Sequence, residues 1–336
     1  MPTSGAPLRA RATARALGLA AWALERMPAR LAYALADAAW PGLAAWGLAH
    51  ELRAARLGRG ARRNLRIAYR ESLGSGAAWR LLARHGRHLA HLGVDLCRMP
   101  RLDAGRLEEQ VDLGALATLR DLLAEGRGLI CVSGHVGVWE LLAHAASVMG
   151  LPVTVVVRRL EAAPVEALVA RLRSSGGQRC VSQRGALWAL RRALSRGEIA
   201  GLLADEAERH ARLFAPFLGT LAATSPAAAF LQRKSGAPIA VLSCERLARE
   251  RYRIRLWRVI RPPSLGEGEH ALAAVAAEIN AALGEAILAR PDQWLWGSRR
   301  FATRPAGEIA GADGLPPPAP SPHAGRIEAD RARESA

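Results

Sequence analysis

The chain has 336 residues, half of them apolar, so it can bury a sizeable core; this excludes a wholly disordered chain and a disulfide-stapled miniprotein. Long uncharged runs are too few for a polytopic membrane protein. Charge is the outlier: 47 basic against 30 acidic residues give a net +17, and only Lys234 of the basic set is lysine. That sign suits anionic membranes, acidic carrier proteins, phosphorylated substrates or nucleic acid, and composition does not choose among them.

The first 15 residues are polar and carry arginine. Residues 16–49 are rich in Ala, Leu and Trp, with Pro28 and Pro41 placed to break a single helix. This segment predicts an interfacial helical hairpin, with Trp22, Trp40 and Trp46 at headgroup depth; the alternative is an Ala-rich helical pair packed on the main domain. Residues 50–100 read as helical and basic, with Arg53, Arg56, Arg59, Arg62, Arg63 and Arg66 in a dense run. Such a run is either a solvated helix face or a contact with anionic lipid.

From about residue 101 to 305 the pattern alternates. Strand-like runs at 128–133, 152–157, 199–204, 238–243 and 252–260 are separated by helical patterns at 139–149, 165–173 and 186–195. The alternation predicts an α/β domain around a mostly parallel central sheet flanked by helices. The stretch 184–196 is a basic amphipathic helix expected to pack on that sheet. The tail, 306–336, holds a Pro-rich stretch from Leu315 and then charged residues, and is expected to be disordered. Three regions follow: an N-terminal helical, membrane-associating region (1–100), the α/β domain (101–305) and the tail.

The chemistry is concentrated where the first strand-like run ends. Gly134 is followed at once by His135, then Gly137, then a helix that begins near Trp139 and Glu140. His135 therefore sits at the C-terminal end of a strand, where open α/β sheets build their sites. Gly134 and Gly137 permit a tight turn through which the Glu140 carboxylate can reach back to the imidazole. That contact would fix the tautomer and make a general base for a hydroxyl substrate. The alternative is a lone histidine and a glutamate that only complements the helix dipole. Asp205 ends a later strand on the same sheet edge, placed to bind an acceptor, to orient a base or to cap a helix.

Other constellations are weaker. His85, His88 and His91 recur at three-residue steps, but no cysteine completes a metal spacing, so no metal is expected. Cys97, Cys131, Cys180 and Cys244 are far apart and read as structural thiols. No Gly-x-Ser-x-Gly surrounds Ser133, which argues against a serine hydrolase.

The run Gly-His-Val-Gly-Val-Trp-Glu (134–140) resembles the H-x4-D/E block of the bacterial lipid A biosynthesis (lauroyl/myristoyl) acyltransferase family, within the wider lysophospholipid and glycerolipid acyltransferases. Further blocks follow in the expected order: Arg-Asn-Leu (63–65), Asp205-Glu206, a segment from Phe214 to Gly219 with Thr224, Trp294 to Trp296, and Arg299-Arg300 before Pro305. Ser298 stands where the family has histidine, and Glu206 where glutamine is common. The resemblance implies an HX4E acyltransferase that moves a fatty acyl chain from an acyl thioester, carried by acyl carrier protein or CoA, to a lipid hydroxyl. His135 and Glu140 would be catalytic, and Arg173 (with Arg171 a rival), Asp205, Gly137, Gly219, Thr224, Arg299 and Arg300 would bind substrate. Amides near residues 136–138, or an arginine, would hold the oxyanion. No cofactor or metal is implied. The expected acceptor is a lipid A precursor, with lysophospholipid, glycolipid or ornithine lipid as alternatives, and the expected location is the cytoplasmic face of the inner membrane. A different class, an Arg-rich nucleic-acid-binding protein, is left without a recognition motif.

Overall fold

A computed structural model of the chain describes residues 8–56, 60–208, 213–262 and 269–320. Four helices lead: α1 (Leu8–Arg26), α2 (Ala29–Arg56), α3 (Ala61–Tyr69) and α4 (Ser75–Arg98). Next come α5 (Ala104–Gln110), β1 (Val111–Asp112), α6 (Ala115–Ala124), β2 (Leu129–Ser133) and α7 (Glu140–Val148). The chain continues with β3 (Val153–Val157), α8 (Ala163–Arg173), β4 (Arg179–Ser182), α9 (Ala186–Ser195) and β5 (Ile199–Leu203). It closes with β6 (Phe214–Phe217), β7 (Thr220–Ala223), α10 (Ala227–Ser235), β8 (Ile239–Ala248), β9 (Arg251–Ile260) and α11 (Glu269–Ala289).

The seven-stranded sheet has the order β1-β9-β8-β2-β5-β3-β4. Strands β8, β2, β5, β3 and β4 run parallel, and β9 turns back antiparallel on β8. The mostly parallel α/β sheet expected from the alternation is therefore present. Because side chains alternate across a strand, β2 feeds two cores. Ile130 and Val132 pack with α9, α10 and α11 on one face. Leu129 packs with α6 and α7 on the other. Ile130 is fully buried, and truncating such a residue to alanine costs about 2–5 kcal/mol.

The N-terminal segment does form two helices parted at Pro28, but Pro41 lies inside α2 without ending it. Proline costs a helix interior about 3 kcal/mol; packing against α4 opposes that cost, since Trp40 fills the space over Gly86. The side chains of Trp46, Arg53 and Arg56, and all of Arg59, lie outside the described residues. Helix α3 is no appendage: Leu65 and Ile67 join the same core as Ile130. The one described helix long and apolar enough to cross a membrane is not N-terminal. It is His270–Ala289, within α11, and Ile279, Leu283 and Ile287 bury its inner face in the core.

The tail also departs from expectation as far as residue 320. Leu315 is buried, the Ala319 amide donates to the Gly219 carbonyl, and Arg70 donates to the Pro316 carbonyl. An apolar side chain and unpaired backbone groups on β7's turn gave this Pro-rich stretch partners that composition alone does not reveal. Residues 321–336 lie outside the described residues.

Candidate active site

Strands β2 and β5 are neighbours, with Ser133 opposite Leu203. Two residues beyond each register partner stand His135 and Asp205, side by side at the carboxyl edge of the sheet. Asp205 is fully buried and accepts three hydrogen bonds: from the His135 amide (2.7 Å), from His135 Nδ1 (2.8 Å) and from Trp294 Nε1 (2.8 Å). A carboxylate only accepts, so Nδ1 carries the proton and Nε2 holds the free lone pair. Nε2 has no protein partner among the described residues. Trp139 stands edge-on to the imidazole, with centroids 5.0 Å apart.

Burial pulls the His135 pKa down, but the charge and hydrogen bond of Asp205, helped by Glu206 and Glu140, outweigh it, and the net shift is upward. The same contact works on Asp205 in reverse: burial raises its pKa, and His135 with Trp294 draws it below the ordinary carboxylate value. The pair thus favours a carboxylate that holds an imidazole of increased basicity.

The expected contact between Glu140 and His135 is not made. Glu140 is the first residue of α7, and its carboxylate turns to α8, where Arg173 Nε lies 3.0 Å from both oxygens and Nη2 lies 2.6 Å from Oε1. Trp139 Nε1 adds a bond of 3.2 Å. The physical reason is a choice of partners: Asp205 already occupies Nδ1, and an arginine fork binds a carboxylate more strongly than a neutral ring nitrogen does. Glu140 still acts on His135 through space.

His135, Glu140, Arg173 and Glu206 all line one cavity of about 650 Å³, whose other walls include Leu142, Val155, Leu190 and Leu202. That volume lies within the range of about 300–1,000 Å³ usual for small-molecule sites. Asp205 does not line it; it stands sealed behind His135. Arg171 is exposed and outside the lining, so Arg173 is the arginine of α8 that reaches the site.

The remaining sequence candidates hold the fold around the site and do not line the cavity. Gly137 has φ +67°, and a Cβ there would sit 1.9 Å from the Cys244 carbonyl oxygen. Its amide donates to Gln293, and the next amide, Val138, donates to Cys244, so these two amides are not free to hold an oxyanion. Gly219 follows Leu218 in the β6–β7 turn, both at positive φ. Arg300 is buried and clamps the Ala223 carbonyl (2.6 Å), Thr224 Oγ1 (3.1 Å) and Asn280 Oδ1 (2.9 Å). Thr224 is thereby a member of a buried polar cluster, and Arg299 is exposed at the surface. Among the described residues no group of histidine, cysteine and carboxylate could hold a metal.

Two contributions were missed in the sequence. Trp294 fixes Asp205, and Asn64 of the Arg-Asn-Leu block donates to the carbonyls of Trp296 (2.7 Å) and Ser298 (2.8 Å), pinning the segment that carries Trp294. Both residues lie in the motif blocks, which was the available signal; their partners, 89 positions away for Trp294 and 232 and 234 for Asn64, carried none.

A histidine backed by a buried aspartate stands at the edge of a parallel sheet beside a largely apolar cavity, an arrangement chemically suited to proton transfer. The family model for bacterial lipid A biosynthesis acyltransferases matches residues 9–303, nearly the whole chain. The protein belongs to that family and is an acyltransferase of the lipid A type. No curated protein matches the chain.

Proposed function

We propose that the protein moves a fatty acyl chain from an acyl thioester, on acyl carrier protein or CoA, to a hydroxyl of a membrane lipid, with a lipid A precursor as acceptor. One observation carries this reading: His135, held at Nδ1 by buried Asp205 and with no partner for Nε2 among the described residues, lines a cavity with apolar walls. Nε2 takes the proton of the acceptor hydroxyl as its oxygen attacks the thioester carbonyl. The C–S bond then breaks, and the thiol leaves with the proton returned by the imidazolium. Asp205 holds the tautomer and stabilises the imidazolium. Arg173 spends Nε and Nη2 on Glu140, and its Nη1, which has no acceptor among the described residues, is the donor for the oxyanion. In this reading Glu140 positions that arginine. No cofactor enters the scheme; the thioester is a substrate. The protein works at the cytoplasmic face of the inner membrane, where such a lipid acceptor is reached.

The test is purified protein with a defined acyl thioester and lipid A precursor, read by mass spectrometry. Acyl transfer that is lost in His135→Ala supports the reading. Free fatty acid released without acceptor, or turnover retained in His135→Ala, overturns it.

A further inference from the structure

Helix α9 is two-sided. Leu190, Ala193 and Leu194 are buried against the sheet, as its amphipathic pattern predicts. At about 100° per residue, Trp188 and Arg192 lie opposite that stripe, Arg191 flanks them, and Leu187 stands at the edge beside buried Leu194. Trp188 is 67% exposed and Leu187 43%. The Arg192 guanidinium lies over the Trp188 ring, 5.5 Å from its centroid. Arg184, Arg191 and Arg192 are exposed, and among the described residues none has a carboxylate partner. This sector adjoins the active cavity: Leu187 lines it, and so do Arg158 and the 37%-exposed Leu160 on the neighbouring β3–α8 loop. The arrangement is repeated on α1, where Trp22 is exposed beneath the Arg26 guanidinium, 4.9 Å from its ring, and α1 packs on α8.

The geometry points to the outer face of α9, with Trp188, Arg191 and Arg192 at its centre, as a docking surface for an anionic lipid bilayer that brings the cavity mouth onto the membrane. It rests on the function proposed above only for the identity of what enters the cavity. Three observations select this occupant. An unpaired, exposed arginine cluster attracts a negatively charged surface. An exposed tryptophan stacked by arginine has an apolar body and a polar rim, the chemistry suited to headgroup depth. Leu187 and Leu160 join the patch to the cavity, so an acceptor with apolar chains need not cross water between bilayer and site. An acidic protein would satisfy the first condition alone.

The test uses the full chain and vesicles of phosphatidylglycerol or of phosphatidylcholine. None of the three central residues lines the cavity. The variant Trp188→Ser with Arg191→Gln and Arg192→Gln is expected to partition at least about tenfold more weakly onto phosphatidylglycerol, since each basic residue near an anionic surface is worth about fivefold. On phosphatidylcholine only the loss of Trp188 should tell, so the drop there should be smaller. Arg191→Lys with Arg192→Lys, Trp188 retained, should bind as the parent does, which separates lost charge from lost fold. Transfer to an acceptor embedded in phosphatidylglycerol should fall, and transfer to the same acceptor in detergent should not. Parental binding to phosphatidylglycerol by the triple variant overturns the proposal. So does retained vesicle binding with lost binding of an acidic acyl carrier protein, which would assign the face to a protein. Weakened vesicle binding in a protein that acylates no acceptor leaves the docking surface standing and removes the proposed reaction instead.

Discussion

Among the described residues two aspartates are buried in hydrogen-bonded clusters, Asp205 behind the cavity of His135 and Asp95 away from it. Asp205 holds His135, whose ring lines the cavity and whose pKa is raised. Asp95, on α4, holds Arg246 of β8 (Nε 2.9 Å) and accepts from the hydroxyls of Tyr33 and Tyr252. Beside it stand His88, whose pKa is driven far down by burial and by Arg246, and His85, pushed down to about 4 chiefly by burial. Neither histidine lines the cavity at His135. The ingredients are alike and the outcomes differ because of solvent-side geometry. A carboxylate behind an imidazole with one free nitrogen on a cavity tunes a base; a carboxylate enclosed by donors ties α2 and α4 to the β8–β9 hairpin.

That contrast can be broken most severely at His135. His135→Ala should lower turnover by about 10²–10⁴-fold, the usual span for a general base, in a protein that still folds but unfolds at lower urea, because buried Asp205 loses a donor. Parental turnover would end the base assignment. In the second cluster the effect should be on stability instead. Arg246→Met leaves Asp95 buried without its cation and should cost about 3–5 kcal/mol, seen in the unfolding midpoint, while the folded fraction keeps its turnover.

Asp205→Asn sharpens the comparison through pH. A general base works when neutral, and the folded pKa of His135 lies above 6.5, so the rate should climb with pH through a value above 6.5. Removing the carboxylate leaves burial as the main influence, which lowers the pKa. The acid limb should therefore move to lower pH while the maximal rate falls by about 10²-fold. An acid limb that stays in place would show that Asp205 does not set the basicity of His135. The smallest effect is expected for Glu140→Gln: about tenfold in rate from a loosened Arg173, with only a slight drop in the acid limb. A shift larger than that of Asp205→Asn would return Glu140 to the orienting role expected from its spacing.

Much of the fold was legible because its signals are local. Runs such as 129–132 are continuously apolar, as expected of strands covered on both faces, and the strand-turn-helix at Gly134–Glu140 placed His135 on a sheet edge. Strand β4 was missed because it is short and lies at the sheet margin, with only Cys180 and Val181 between polar Arg179 and Ser182. The docking of residues 306–320 was missed because proline-rich composition reports what a segment cannot form alone, and not which carbonyls elsewhere need partners.

The order of residues alone determined that this chain is an α/β protein with a histidine just past a strand end, since strand, turn and helix propensities act over a few positions. Which acid serves that histidine was decided only in three dimensions. The sheet inserts β5 between β2 and β3, setting Asp205 against an imidazole 70 positions earlier in the chain. Helix α8 meanwhile brings Arg173 to claim the nearer carboxylate of Glu140. Proximity in sequence proposed one pair, and strand order, which depends on how whole elements share two apolar faces, chose another.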